Sequence, residues 1–207
     1  MPHRLALTAP PRSLRPLPVL ALAAALVGTA PVPAPAQTRM DPTAVLAAQA
    51  EAMRPLAAMH GRWRGTARTL SPDGGWRQIT QTERMGPFLG GTVLVIEGRG
   101  YRDDGEVGFN AFGVVSFDPA SRAYTLHSHA QGHVGDFAFE PTADGYRWSI
   151  PLGPAGTLRY VATIRDGVLT EIGERVVEGR EPSRMFEMRL ERIGDSDWPA
   201  AGAVPPR

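Results

Sequence analysis

The chain is 207 residues long and carries 22 basic residues against 21 acidic ones, a formal net charge of +1 at neutral pH. It contains no cysteine, and every basic residue is arginine, because there is no lysine. These two absences exclude disulfides, thiol nucleophiles, thiolate zinc sites, c-type haem attachment, Schiff-base chemistry, a P-loop lysine and a Ser-Lys dyad. Arginines scattered among acids at so even a balance also argue against nucleic acid as a partner.

Residues 1–36 read as an export signal. Arg4, Arg12 and Arg15 stand without an acidic residue, the apolar run Val19 to Val27 follows, and Ala34-Pro35-Ala36 forms a small-x-small cleavage site, so cleavage is expected before Gln37. The expected location is periplasmic or secreted. No second long apolar run follows, so no integral membrane segment is expected after cleavage. The remaining chain is long enough for one domain with a core of its own.

Residues 37–60 are expected to be helical. Asp41-Pro42 places an N-cap residue before a proline at the first helical position, and Val45, Leu46, Met53, Leu56 and Met59 give the stretch a modest apolar face. Pro55 should kink or divide the helix, which then lies against the next domain or plugs one end of it.

From residue 61 to residue 194 turn peptides cut the chain at near-regular intervals. They are Ser71-Pro-Asp-Gly-Gly75, Gly86-Pro-Phe-Leu-Gly-Gly91, Arg102-Asp-Asp-Gly105, Asp118-Pro-Ala-Ser121, Gln131-Gly-His-Val-Gly135, Thr142-Ala-Asp-Gly145, Leu152-Gly-Pro-Ala-Gly156, Arg165-Asp-Gly167 and Glu178-Gly-Arg-Glu-Pro182. Nine turns imply about ten antiparallel strands. A meander of that length removes its unpaired edges most simply by closing, so the fold class is all-β: an up-and-down, lipocalin- or calycin-like β-barrel preceded by one helix.

The strands are expected near Arg62 to Leu70, Trp76 to Met85, Thr92 to Tyr101, Val107 to Asp118, Ala123 to Ala130, Asp136 to Glu140, Tyr146 to Pro151, Thr157 to Arg165, Val168 to Val177 and Ser183 to Arg192. Alternation sorts their faces: Phe186, Met188 and Leu190 oppose Glu187, Arg189 and Glu191; Tyr146, Trp148 and Ile150 oppose Arg147 and Ser149; Leu158, Tyr160, Ala162 and Ile164 oppose Arg159 and Thr163. The interior so implied is apolar and aromatic. Residues 195–207 read as a flexible tail from which Trp198 can pack back.

No catalytic motif appears on this scaffold. His127, His129 and His133 fall within seven residues, and on a strand the first two project from one face, where two imidazoles can share a metal, with His133 or Asp136 arriving as a further ligand. The competing reading makes them polar and turn positions. Glu97 alternates with Val93 and Val95, so it is either a buried carboxylate paired with Arg99 or acting on a ligand, or a carboxylate at the rim. Glu171 and Glu174 fall on opposite faces and form no obvious acid/base pair. Trp63, opening the first strand, is expected to close the bottom of the barrel. The candidate ligand-binding residues are therefore Trp63, Glu97, His127, His129, Trp148 and Tyr160. Which way His127 and His129 point is a matter of parity, which a one-residue bulge at Gly113 or Gly132 would reverse.

Several motifs resemble a known group. Gly61-x-Trp63-x-Gly65, the Gly90-Gly91 step, Phe117-Asp118 with Tyr124 beyond its turn, Asp144-Gly145-Tyr146-Arg147-Trp148, Phe186-Glu187-Met188-x-Leu190-x-Arg192 and Asp197-Trp198-Pro199 together resemble the DUF1579 family of bacterial proteins, over Met53 to Pro199. That resemblance implies a lipocalin-like barrel and supplies no catalytic residue. A looser one is to the nitrobindin-like haem barrels, which open with Gly-x-Trp-x-Gly-x-Gly. Here Ala67 stands at the third glycine, and the closing strand has no histidine where that family places its haem ligand, so both departures argue against haem, with His127 or His129 the residues that could in principle ligate iron.

Three functional expectations follow: an exported barrel binding a small apolar or amphipathic ligand, an enzyme or metal protein using the histidine cluster, or a side-chain-filled barrel with a structural or interaction role. No cofactor is expected, and the oligomeric state is not legible.

Overall fold

The computed structural model describes residues 41–198, so the expected export signal and the end of the expected tail lie outside the described residues. Helix α1 spans Pro42–Met53. The Asp41 carboxylate caps it by accepting from the Thr43 amide at 3.0 Å. Pro55 cannot donate to the preceding turn, and the chain continues as a 3-10 segment over Arg54–Met59 that buries Leu56 and Met59.

Ten strands follow: β1 Gly61–Leu70, β2 Trp76–Phe88, β3 Val93–Tyr101, β4 Val107–Asp118, β5 Ala123–Ala130, β6 His133–Thr142, β7 Gly145–Pro151, β8 Thr157–Arg165, β9 Val168–Val176 and β10 Ser183–Gly194. Each pairs antiparallel with its neighbours in sequence, and β10 returns to pair with β1, so the barrel is closed.

Two hairpins set their register through two-residue turns. Gln131-Gly132 has φ of 50° and 82°, and Asp166-Gly167 has φ of 51° and 73°, the left-handed pair that matches the twist of adjoining strands. The first of these turns is tighter than the five-residue Gln131-to-Gly135 turn expected, so β6 begins at His133, three residues earlier than the alternation suggested.

The outer wall is stitched by ion pairs between residues directly opposite in the ladders: Arg68 with Glu187 at 2.6 Å, Arg84 with Glu97 at 2.6 Å, Arg147 with Glu140 at 2.5 Å and Arg159 with Glu174 at 3.0 Å. At exposed positions each contributes at most about 1 kcal/mol. Their larger effect is on register, since a one-residue slip would turn every arginine inward.

The floor of the barrel is its densest part. Met53, Leu56 and Met59 pack with Trp63, Met85, Leu94, Val115, Leu169 and Leu190 in one buried cluster, so the helical segment plugs this end. Trp63 is 1% exposed and donates its indole N–H to the Met59 carbonyl at 2.9 Å, tying plug to wall.

The tail is less loose than expected. Ser196 accepts from the Gly61 amide at 3.0 Å and donates to the Met85 carbonyl, Asp197 meets Arg62 and Arg84 at 3.5 Å, and Trp198 packs edge-on to Phe88 beneath the Arg84 guanidinium. Residues 195–198 are therefore strapped across the outside of β1 and β2: Trp198 packs back as expected, while the loose-tail expectation fails for Ser196 and Asp197, whose polar groups pair with Gly61, Met85, Arg62 and Arg84.

Replacing Trp63 by alanine is expected to cost about 3–5 kcal/mol in urea unfolding, since it opens a large void and orphans the Met59 carbonyl. Trp63→Phe should cost distinctly less.

Candidate functional site

Above the floor the barrel is hollow. A cavity of about 760 Å³ runs from the buried cluster towards the far ends of the strands, where Thr69, Ile150, Leu152 and Leu158 border it. Small wall residues leave this room, among them Ala111, Ser128 and Ala130. At two positions glycine makes room for a neighbour. A Cβ on Gly98 would lie 2.8 Å from a Glu83 carboxylate oxygen, and one on Gly173 would lie 2.7 Å from the Tyr160 ring. Without side chains there, Glu83 and Tyr160 lie flat against the wall.

Four aromatic residues from β6, β7, β8 and β10 form a belt on one side. Trp148 stacks on Tyr160 with centroids 4.2 Å apart and planes 7° from parallel, Phe137 packs against Trp148 at 5.8 Å, and Phe186 meets Tyr160 edge-on at 5.7 Å. Such geometry is favourable in itself and leaves broad π surface towards the cavity.

Two carboxylates face the same space. Glu83 extends from β2 and Glu171 from β9, and both border the cavity. Glu171 accepts the Trp148 indole N–H at 2.9 Å, and the Tyr146 hydroxyl also favours its charged form. Glu83 accepts from the Gln81 amide at 2.7 Å. Removal from water dominates over these donors: it pushes Glu171 up to about 7 and Glu83 up to about 8, with the charge of Glu171 contributing to the rise at Glu83. Glu83 retains some accessible surface, and it lines the inner part of the cavity rather than the outer wall.

Trp148 and Tyr160 stand in the cavity wall, and Trp63 lies below it in the floor. Glu97 does not face the interior. β3 turns Leu94, Ile96 and Gly98 inward, so Glu97 is on the outer wall, held by Arg84 at 2.6 Å and Arg99 at 3.3 Å. His127 and His129 are outside as well. β4 and β5 pair without a bulge, which directs Leu126, Ser128 and Ala130 inward and the two histidines outward.

On the outer wall His127 Nδ1 lies 2.6 Å from Asp136, and its Nε2 lies 3.2 Å from Nε2 of His129. His133 stands at the rim, at the start of β6. Among the described residues no group of three or more His, Cys, Asp or Glu side chains is arranged to hold a metal ion. A haem inside the barrel would find no ligand in His127 or His129.

Glu83 and Gln81 were not singled out from the sequence, although the signal was there. Ile79-x-Gln81-x-Glu83-x-Met85 alternates as regularly as any strand, with a carboxylate in phase with its apolar residues. Glu171 and Glu174 lie on opposite faces of β9 as alternation implies, and the phase of Glu171 with Leu169 marks it as the inward one.

The crystal structure of Rv2717c from M. tuberculosis is similar to this barrel, with a TM-score of 0.52 and 14% sequence identity, covering 69% of this chain and 97% of that one. At that identity the likeness shows the fold alone. No family model matches the chain, and no curated protein matches it. Among the described residues no helix is long and apolar enough to cross a membrane.

Because the folded state holds protons on Glu83 and Glu171 more tightly than the unfolded chain does, the stability these two groups contribute is greatest at or below the ordinary value of 4.5 and is lost as pH rises through about 7 and about 8. Denaturation midpoints of the unliganded protein should therefore drop between roughly pH 5 and pH 9. Glu83→Gln and Glu171→Gln should each flatten the profile, and a double variant as steep as the parent would place its origin elsewhere.

Proposed function

We propose that this is an exported binding protein that holds a small, largely apolar ligand inside the barrel. The observation that carries the reading is the cavity of about 760 Å³, which falls within the size range of small-molecule sites and combines an apolar lining with a few convergent polar groups. The aromatic belt supplies contact area, and Glu83, Glu171 and Gln81 supply orientation at the inner end. A barrel filled by its own side chains would leave no such space.

Export rests on the order of charge, apolar run and cleavage residues in 1–36. Membership of the DUF1579 family rests on the motif set from Gly61 to Pro199. Both belong to this reading. It assigns no reaction, since the inward-facing groups include no nucleophile with a base beside it.

Native mass spectrometry of the mature protein, purified from the envelope of its own cells, is expected to show a bound organic mass. The Ser128→Trp variant, which projects an indole into the cavity, should lose that mass while staying folded, with a thermal midpoint matching that of the parent stripped of its ligand. Equal ligand content in the two proteins would remove the cavity from consideration.

A further inference from the structure

We propose that the cavity takes an organic cation, an ammonium group on an apolar body, with the charge seated between Glu83 and Glu171. This deepens the binding reading above and rests on it.

The first ground is the balance of charge around the inner end. The inward residues beside these carboxylates are Trp63 from β1 and Gly98 from β3 next to Glu83, and Tyr146, Trp148, Ala162 and Met188 from β7, β8 and β10 next to Glu171. None is cationic. Arg175 borders the cavity, but at its outer end, where it donates to the Ala155 carbonyl at 3.0 Å. Arg68, Arg84, Arg147 and Arg159 are committed to partners on the outer wall. His133 also borders the cavity, at the rim where β6 begins. Two carboxylates thus share the inner end of the cavity with no cationic side chain beside them, an arrangement that burial penalises until a cation arrives.

The second ground is the hydrogen bonding. The Trp148 indole and the Gln81 amide are aimed at carboxylate oxygens and favour the ionised groups, while the second oxygen of Glu83 accepts from no protein group among the described residues and is open to the cavity, where no buried polar atom is left without a partner. An ammonium brings the donors that this oxygen lacks and relieves the repulsion between the two acids.

The third ground is the wall. Stacked Trp148 and Tyr160, with Phe137 and Phe186, present π faces beside the carboxylates, and such faces attract cations while covering an apolar body. A fatty-acid-like anion meets the opposite field.

The test is calorimetry on the mature protein at pH 7.5 with three probes of one chain length: octylamine, octan-1-ol and octanoate. Octylamine should bind at least ten-fold more tightly than octanol, and octanoate should not bind. Repeating the titration in buffers of different ionisation enthalpy should show protons released with octylamine and none with octanol, because the ammonium converts protonated carboxyls to carboxylates; this readout needs no variant. In the Glu83→Gln/Glu171→Gln double variant, which keeps an acceptor for Trp148, the preference for the amine should vanish while octanol binding persists. Octanol or octanoate binding as tightly as the amine, or amine binding without proton release, would overturn the cation assignment and leave the binding reading standing. Absence of binding by all three would overturn both.

Discussion

Closure of the sheet is the constraint on which everything else depends. Once β10 hydrogen-bonds to β1, no strand edge is left unpaired and every residue of every strand must face either inward or outward. The period of two then sorts the chain by polarity: Arg–carboxylate pairs decorate the outside, and apolar and aromatic side chains line the inside. The short left-handed turns at Gln131-Gly132 and Asp166-Gly167 hold the phase from one strand to the next.

Closure alone does not decide whether a barrel is solid or hollow. Here the two ends differ. The helical segment drives Leu56 and Met59 onto Trp63 and fills the lower end, while glycine, alanine and serine at inward positions of β3, β4, β5 and β9 leave the upper part open. The plug supplies the core, which frees the remaining interior from having to pack.

That freedom is used to hold two carboxylates away from bulk water, at a cost in stability that rises with pH. Buried acids of this kind are poor choices for a structural core. An apolar pair of similar volume at Glu83 and Glu171 would make a firmer barrel. Their presence, the donors aimed at them and the aromatic belt beside them form one arrangement, on which the proposed cation site rests.

The strand count, the antiparallel order, closure, the proline-divided helix and the role of Trp63 were legible in the sequence, because each follows from local chemistry: turn residues, alternation, a cap and a helix breaker. Trp148 and Tyr160 were legible as inward residues for the same reason. The histidines and Glu97 were not, since which face of a strand becomes the inside depends on the strands beside it. Glu97 alternates with Val93 and Val95 and still faces outward, because Leu94, Ile96 and Gly98 share the phase that Met85 and Leu126 set across the sheet. The pairing of Glu83 with Glu171 was beyond the sequence altogether. They lie on β2 and β9, and only closure through β1 and β10 brings them into one space. Local pattern therefore determined the elements and their amphipathic character, whereas the choice of inner face and the meeting of distant carboxylates were decided by tertiary structure, because both are properties of the closed ladder.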